Sequence, residues 1–226
     1  MITDSVEVWH GVVAADEGLY DAFWAVLDDD ERRQASKFKN ALLHKRYVEV
    51  HGRLRQLLAG IVKQAPDKII INKTKQGKPF LADYPELAFN LSHSGELLLV
   101  AVAWHCRVGV DIEICKSRVN LPGLVKKCFS EVEMNYWNQL PDDEKNQAFY
   151  RFWTRKEAFV KATGHGIVLG LDQCVINPEN PVEFLSVPMQ CGKASIWSIQ
   201  DIELGEGLSG AIVADKKLDE ITLKHL

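Results

Sequence analysis

A short stretch, Phe152 to Gly164, contains the residues of this chain that could most readily do chemistry. Its sequence, FWTRKEAFVKATG, has the period of a helix, and one stripe of that helix consists of Trp153, Glu157, Val160 and Lys161. The stripe mixes an aromatic ring, a carboxylate and an ammonium group, which is typical of a half-buried face over a polar site. Spacing alone leaves a second explanation open, because Glu157 and Lys161 are also an ordinary i, i+4 ion pair that stabilises an exposed helix.

A second stretch, Gly109 to Ile114, places two carboxylates on one side of a predicted strand. In GVDIEI the apolar side chains alternate with Asp111 and Glu113, so a period of two puts both acids on the same face. Like charges this close disfavour each other unless a cation lies between them, and such hard oxygen ligands suit Mg²⁺. The alternative is an antiparallel strand with one face in water, where alternating acids are routine.

Two further polar residues have both a chemical and an ordinary explanation. His93 lies in Ser92-His93-Ser94-Gly95, a sequence that favours a tight turn, and a histidine in such a turn is usually not catalytic. Glu133 completes an S-x-x-E capping box with Ser130, so a structural role alone would account for it. Neither residue identifies a site by itself.

The surrounding pattern predicts helices and strands that alternate along two halves of the chain. Helices are expected at 18–27, 28–38, 41–63, 121–129 and 134–140, and a long one is expected from Pro141 to the end of the opening stretch. Strands are expected at 6–14, 68–73, 87–91, 97–104 and 109–114, and then near 175, 182–187, 194–201 and 208–214. The strand at 97–104 is an unbroken apolar run, which predicts burial on both faces. A boundary near Arg107 gives two α/β halves of similar length, 1–106 and 107–226.

Composition argues against several classes of protein. The 226 residues are 46% hydrophobic, which is enough for a substantial core, and the net charge of −4 at pH 7 argues against a general nucleic-acid binder. Five cysteines form no C-x-x-C pair, and the first residues contain no long apolar run. The expectation is therefore a reduced, cytoplasmic protein without a signal peptide or a membrane span. The sequence contains neither a P-loop nor a dinucleotide-binding fingerprint.

Four motifs occur in an order that is much more specific than any one of them. GKP, FNLSHSG, GVDIE and FWTRKEAFVKATG follow one another between Arg46 and Gly170. In this order they resemble the 4′-phosphopantetheinyl transferases of the large, surfactin-synthetase type. The resemblance implies an α+β fold of two similar α/β lobes related by a pseudo-twofold axis, each a small, mostly antiparallel sheet packed on a long helix, in a monomer.

The resemblance also implies an activity. The family moves the phosphopantetheine arm of coenzyme A onto a serine hydroxyl of an acidic acyl or peptidyl carrier protein and releases adenosine 3′,5′-bisphosphate. The reaction is Mg²⁺-dependent, with Mn²⁺ as an alternative ion, and neither nucleic acid nor membrane is an expected partner. Because the partner supplies the nucleophile, no Ser-His-Asp set is needed. A local basic patch would steer the acidic carrier, and its members are Lys116, Arg118, Lys126 and Lys127.

Matched motif by motif, the resemblance assigns three overlapping groups of residues. The implied metal ligands are Asp111, Glu113 and Glu157. The implied contacts to the coenzyme come from Arg46, Arg53, Lys78, Ser92, His93, Lys156 and Lys161. The residues implied in catalysis are Glu157, Lys161 and His93, with Glu157 the first candidate to accept the serine proton and Glu133 the second.

One region departs from the family pattern. Glu31 and Gln34 stand near positions where lysines would contact the 3′-phosphate of the coenzyme, and Arg32, Lys37 or Lys45 could substitute for them. Two other functions could use the same residues: a metal-dependent phosphohydrolase acting on a nucleotide pyrophosphate, or a non-enzymatic binding module. Only a transferase would add a covalent arm to a carrier protein.

Overall fold

The computed structural model describes residues 6–117, 120–218 and 221–226, in which helices alternate with small sheets. The elements of the first half are β1 (Val6–Val12), α1 (Glu17–Val26), α2 (Asp29–Ala35), α3 (Ala41–Val62), β2 (Ile71–Lys73), β3 (Pro79–Leu81), β4 (Leu87–Ser94) and β5 (Leu97–Trp104). Those of the second half are β6 (Val108–Ile114), α4 (Leu121–Cys128), α5 (Glu131–Gln139), α6 (Asp142–Thr163), β7 (Val175–Ile176), β8 (Phe184–Ser186), β9 (Ser198–Asp201), β10 (Leu208–Ala214) and β11 (Ile221–His225). The predicted α+β class is confirmed.

The two halves repeat one arrangement of strands. The first sheet has the order β11-β1-β5-β4, and the second has the order β6-β10-β9. If β11 is set aside, β1 corresponds to β6, β5 to β10 and β4 to β9. Within each sheet, these strands are antiparallel to their neighbours. In each half a helix of 22 residues, α3 or α6, lies in the chain between the first of these strands and the other two. The fold therefore contains two similar α/β units, and β11 adds to the first sheet in parallel with β1.

The two sheets pack against each other, and a long helix covers the outer face of each. Strand β5 is buried on both faces, as its apolar run predicts. Its side chains at 98, 100 and 102 join a cluster with Leu54 of α3. Those at 99, 101 and 103 join a cluster with Val110 of β6 and Ile212 of β10. On the far side of the second sheet, Phe159 of α6 packs with Val213 of β10, which completes a helix, sheet, sheet, helix order of layers.

Gly109 allows α6 to lie very close to β6. A Cβ atom at this position would fall 2.1 Å from the carbonyl oxygen of Ala158 and 2.3 Å from the backbone nitrogen of Ala162. Because protein interiors are already close-packed, the helix occupies the space that a side chain would need. This approach brings Glu157 and Lys161 of α6 toward β6.

We expect Gly109→Ala to destabilise the protein by about 1–3 kcal/mol, because the added methyl group overpacks the interface and must displace α6. Denaturant unfolding measures the change. Gly60→Ala is the matched control, since a Cβ at Gly60 would meet nothing within 4 Å. That substitution should be neutral or stabilise helix α3 by up to about 1 kcal/mol. Equal unfolding free energies for Gly109→Ala and the wild type would contradict the close approach of α6.

The connection between β4 and β5 differs from the prediction. Ser92, His93 and Ser94 do not form a turn but are the last residues of β4, and the turn consists of Gly95 and Glu96. Gly95 has a φ of +61°, a left-handed value that two-residue hairpin turns need. The prediction from residue type was wrong because these serines alternate along a strand edge, where their side chains have partners on another strand.

None of the five cysteines, all within the described ranges, forms a disulfide, and three of them are buried. No helix within the described ranges has both the length and the apolarity needed to cross a membrane.

Candidate active site

The polar centre of the candidate site lies where β4, the edge of the first sheet, faces β6, the edge of the second. Three alternate side chains of β4 accept hydrogen bonds from three alternate backbone N–H groups of β6 at 2.9 to 3.4 Å: Asn90 from Val110, Ser92 from Ile112, and Ser94 from Ile114. We call this junction the seam. The period of two along both strands makes it possible, because every second side chain points the same way. The seam supplies side-chain acceptors to backbone N–H groups at the edge of β6, and it fixes the position of β4 relative to β6.

Ser92, Asp111 and Lys161 meet at the middle of the seam. The Ser92 hydroxyl donates to Asp111 Oδ1 at 2.7 Å. The Lys161 ammonium donates to the same Oδ1 at 2.7 Å and to Ser92 Oγ at 2.8 Å. Asp111 is only 5% exposed, and charge-assisted bonds in such surroundings are the strong ones. The structure thus brings together residues from β4, β6 and α6 that are far apart in sequence.

The face of β6 that contains the two acids packs against α6, with Asp111 buried and Glu113 partly buried. The carboxylate of Glu113 accepts a hydrogen bond from the Ser94 hydroxyl at 3.1 Å, so Glu113 and Asp111 both turn toward β4 serines. This agrees with the alternation expected on the strand. The simpler alternative, a strand with one face in water, does not apply because Asp111 is buried under the helix.

Glu157 of α6 lies within electrostatic range of both acids of β6. Burial is the largest cause that raises the pKa of Glu157; the charge of Asp111 raises it further, Lys161 opposes the rise, and Glu113 adds to it. Repulsion among neighbouring carboxylates is the situation that a bound cation relieves.

One observation supports the fit of a divalent cation to these acids. Asp111 Oδ2 is buried and has no hydrogen-bond partner, although such an unsatisfied oxygen is costly. Within the described residues, no three His, Cys, Asp or Glu side chains stand in a ready metal-binding arrangement, and the Lys161 ammonium bonds the other oxygen of Asp111. Oδ2 is therefore the oxygen that a cation would take, and the ligand set of Asp111, Glu113 and Glu157 stays a prediction.

A pocket of ≈ 460 Å³ opens between α3 and β4, and its lining includes Arg46, His51 and His93. Partial loss of solvent around the imidazole lowers the pKa of His93, although the residue as a whole is exposed, and the positive charges of Lys161, His51 and Arg46 lower it further. These three cations are therefore within electrostatic range of His93. Most of the lining is apolar, and the Arg46 guanidinium in it is paired with Glu96 at 2.6 Å.

Glu31 stands near a position where the family resemblance implies a lysine, and its buried contacts show what the acid does instead. Glu31 is buried, its carboxylate accepts a 2.5 Å bond from Arg55 Nε, and it lies 3.1 Å from His51 Nδ1. Arg55, itself fully buried, also pairs with Asp28. Glu31 thus belongs to an internal network that joins α2 to α3. Lys37, one of the possible substitutes, lines a second pocket of ≈ 560 Å³ that shares His51 with the first.

The structure does not bring Lys156 or Glu133 to this cleft. The fully buried Lys156 ammonium donates to Glu133 Oε2 at 2.6 Å and to the carbonyl oxygens of Cys128 and Leu171 at 2.9 and 2.8 Å. Glu133 also accepts a bond from the backbone N–H of Ile176 at 2.8 Å. Because its side chain is 0% exposed, Lys156 supports α6 from inside the second half and is not available to the coenzyme, whereas the Lys161 side chain, which also makes three bonds, is 28% exposed. Glu133 is fully buried in the same way, which removes it as a proton acceptor.

Arg53 and Lys78 also have partners elsewhere. The Arg53 guanidinium bonds Glu49 at 2.8 Å, and Arg53 is not among the residues that line the pocket of Arg46. The Lys78 ammonium donates to the carbonyl oxygens of Val108 and Ala162 at 3.1 and 2.7 Å.

The expected basic patch is exposed where it is described. Lys126 and Lys127 lie in the last turn of α4, and Lys116 follows β6. Arg118, the remaining member, lies outside the described residues.

Comparison with known proteins identifies the family. A family model described as the 4′-phosphopantetheinyl transferase superfamily matches residues 107–213, and one described as 4′-phosphopantetheinyl transferase, N-terminal, matches residues 15–105. The chain is 33% identical over 206 residues to the 4′-phosphopantetheinyl transferase HetI of Nostoc sp., an alignment that covers 89% of this chain and 84% of that relative. The chain belongs to the 4′-phosphopantetheinyl transferase superfamily, and it is an enzyme of that class.

Two further relatives are similar over shorter ranges. The 4′-phosphopantetheinyl transferase AcpT of Escherichia coli strain K12 is 37% identical over 110 residues, which cover 49% of this chain and 55% of that protein. The L-aminoadipate-semialdehyde dehydrogenase-phosphopantetheinyl transferase of Xenopus laevis is 33% identical over 155 residues, which cover 62% of this chain and 48% of that protein.

Proposed function

We propose that this protein transfers the 4′-phosphopantetheine arm of coenzyme A to a serine hydroxyl of an acyl or peptidyl carrier protein and releases adenosine 3′,5′-bisphosphate. The observation that supports the proposal most directly is the cluster of Ser92, Asp111 and Lys161, which joins the two halves of the chain. A largely apolar pocket with Arg46, His51 and His93 in its lining is large enough for part of a nucleotide. The names of the relatives agree with this activity.

The large, two-lobed type is the form of the family that we assign, with lobes at 1–106 and 107–226. The same strand order occurs twice within one chain, which supports this division. Strand β11 is the exception, since it joins the sheet of the first lobe. Because one chain supplies both sides of the seam, the expected active form is a monomer.

In the proposed complex the diphosphate of the coenzyme lies over the seam, and the nucleotide end enters the pocket. Ser92, His93 and Lys161 contact phosphate oxygens, and Arg46 contacts the nucleotide end. Phosphoryl transfer is catalysed mainly by positioning and by neutralising charge. Lys161, fixed by its bond to Asp111, is placed to neutralise charge that develops on the transferring group.

The chemical step exchanges one phosphorus–oxygen bond for another. The serine oxygen bonds the phosphorus that holds the pantetheine arm, and the bond from that phosphorus to the bridging oxygen breaks. The bridging oxygen keeps the electron pair and leaves as part of adenosine bisphosphate. The serine proton passes to the Glu157 carboxylate, directly or through a water molecule. A divalent cation, Mg²⁺ or alternatively Mn²⁺, held by Asp111, Glu113 and Glu157, would supply further charge neutralisation.

The proposed macromolecular partner is acidic. Exposed lysines at 116, 126 and 127 lie on the second lobe and would attract a negatively charged carrier, although the whole chain has a net charge of −4 at pH 7. The absence of a disulfide among the five described cysteines fits a reducing compartment, and we assign the protein to the cytoplasm.

Intact-mass measurement of a carrier protein tests the function. The carrier is incubated with this chain, coenzyme A and Mg²⁺. A transferase adds one phosphopantetheine arm to the carrier. A phosphohydrolase instead releases phosphopantetheine even when no carrier is present, and a binding module leaves both compounds unchanged; either result would contradict the proposal.

We expect His93→Ala to weaken transfer by about 10-fold to 100-fold in kcat/KM, the usual effect of losing one hydrogen bond to a charged group. Steady-state kinetics with varied coenzyme A measure it. Because His93 is exposed, the unfolding free energy should change little. His225→Ala, at an exposed position on β11, is the control and should keep wild-type kinetics. Unchanged kinetics in His93→Ala would make His93 an ordinary strand residue.

A further inference from the structure

Lys78 bonds two elements of the second lobe from a loop of the first. Its ammonium donates to the carbonyl oxygen of Val108, the first residue of β6, at 3.1 Å, and to that of Ala162, in the last turn of α6, at 2.7 Å. The loop between β2 and β3 is itself held by Thr74, whose N–H donates to the Lys78 carbonyl at 2.9 Å and whose hydroxyl accepts from the Lys78 N–H at 3.1 Å. The ammonium therefore extends from a backbone that is fixed on its own side.

The end of α6 is suited to receive this lysine. The last four carbonyl groups of a helix have no partner within it, and a positive charge at this end is favourable. Helix α6 ends at Gly164 with a φ of +72°, and a Cβ at Gly164 would lie 3.1 Å from Cδ of Lys78. The lysine stem thus packs on the glycine cap while the ammonium supplies a donor to Ala162. Burial is the main cause that lowers the pKa of Lys78 to about 8, and the charge of Arg107 contributes.

Each element that Lys78 holds contains a site residue close to the bonded carbonyl. Val108 precedes Asp111 on β6, and Ala162 directly follows Lys161 on α6. The 2.7 Å bond between Lys161 and Asp111 depends on how far α6 lies along β6. Gly109 permits the close approach of the helix but does not fix its position along the strand. Thr154 and Arg155 of α6 bond Ser209 of β10 and Asp201 of β9. The Lys78 ammonium, bonded to both α6 and β6, adds a contact from the first lobe.

We propose that Lys78 is a positioning residue of the transfer reaction, which sets α6 against β6 and thereby Lys161 against Asp111, without contacting the coenzyme. This role rests on the proposed function of the site, and it differs from the phosphate contact that the family resemblance implies. Loss of a phosphate contact mainly weakens coenzyme binding. Loss of a positioning contact mainly slows the chemical step, because small displacements of reacting groups cost rate.

Kinetics of Lys78→Met and Lys78→Arg separate the two roles. With a carrier protein as acceptor, Lys78→Met should lower kcat about 10-fold to 100-fold while KM for coenzyme A changes less than about threefold. Lys78→Arg, which keeps N–H donors, should recover part of the lost kcat. A rise in KM with unchanged kcat would overturn the proposal and favour a phosphate contact. Wild-type values of both constants in Lys78→Met would also overturn it.

Hydrogen exchange gives a second measurement that does not depend on activity. Amides of β6 and of residues 160–164 should exchange faster in free Lys78→Met than in the wild type. Lys75→Met, an exposed lysine in the same loop, is the matched control and should change neither exchange nor kinetics. Unchanged exchange in Lys78→Met would overturn the proposal even if transfer occurs. Faster exchange in a protein that does not modify the carrier would instead contradict the proposed function. If Lys78→Met does not fold, Lys78→Gln is measured in its place under the same criteria.

Discussion

Asp111→Asn should reduce transfer of the phosphopantetheine arm by about 10³-fold or more, because a catalytic cation and a fixed ammonium together supply several kcal/mol of charge stabilisation and each 1.36 kcal/mol is tenfold in rate. Oδ1 of Asp111 binds Lys161, and Oδ2 is the buried oxygen without a partner. Asparagine keeps the shape of the side chain but removes the negative charge that holds the Lys161 ammonium and would hold the cation. Single-turnover transfer, followed by the mass of the carrier, measures the effect.

The same loss is expected for Glu157→Gln and for the wild type after divalent ions are chelated, with recovery only in the wild type when Mg²⁺ is restored. Glu144→Gln is the matched control, since Glu144 is an exposed acid in the first turn of α6. Unfolding curves show whether each variant is folded. Full activity of Asp111→Asn or Glu157→Gln in the presence of Mg²⁺ would refute this site.

Lys156→Met should lower the free energy of unfolding by about 3–5 kcal/mol, the usual cost of removing one partner of a buried ion pair. Lys156 and Glu133 are both fully buried, and their atoms Nζ and Oε2 are 2.6 Å apart. The substitution leaves a buried carboxylate without its cation and leaves the carbonyl oxygens of Cys128 and Leu171 without a donor. Urea unfolding monitored by tryptophan fluorescence measures the loss.

A second substitution tests whether the uncompensated charge is the cause. Lys156→Met combined with Glu133→Gln should be more stable than Lys156→Met alone, because no charge then remains buried and the amide can still accept the bond from Ile176. The control is Lys68→Met, whose exposed pair with Asp67 should contribute little to the free energy of unfolding. If Lys156→Met cost no more than Lys68→Met, the buried pair would not support α6.

Elements with a long apolar period could be predicted from the sequence. The helix expected at 41–63 is found at Ala41–Val62, where seven apolar residues share one face and Asn40 caps the start. The long helix expected after Pro141 is found at Asp142–Thr163 and ends at Gly164, as the glycine indicates. Short strands were placed less well: the one expected at 194–201 is only Ser198–Asp201. Strand β11 was not predicted, because its parallel pairing with β1 depends on residues at the other end of the chain.

The partners of polar side chains could not be predicted, because they depend on tertiary packing. A motif indicates that a lysine matters but not what it bonds: Lys161 binds Asp111, whereas Lys156, five positions earlier, is bound to Glu133 inside the lobe. One signal was available and missed. Asn90, Ser92 and Ser94 alternate with apolar or exposed residues in FNLSHS, which is the pattern of a strand with a polar edge.

Because the two halves repeat one strand order, a second junction equivalent to the seam would be expected, but it is not formed between the described strands. Since β4 corresponds to β9 and β6 to β1, the equivalent junction would join β9 to the outer edge of β1. That edge is instead paired with β11 from Val6 to His10, and Lys224 of β11 bonds Glu7 at 2.6 Å. Because β11 occupies this edge, the described residues form one seam and not two. Under the proposed function, each molecule loads one donor and serves one acceptor per cycle, even though its two lobes are built alike.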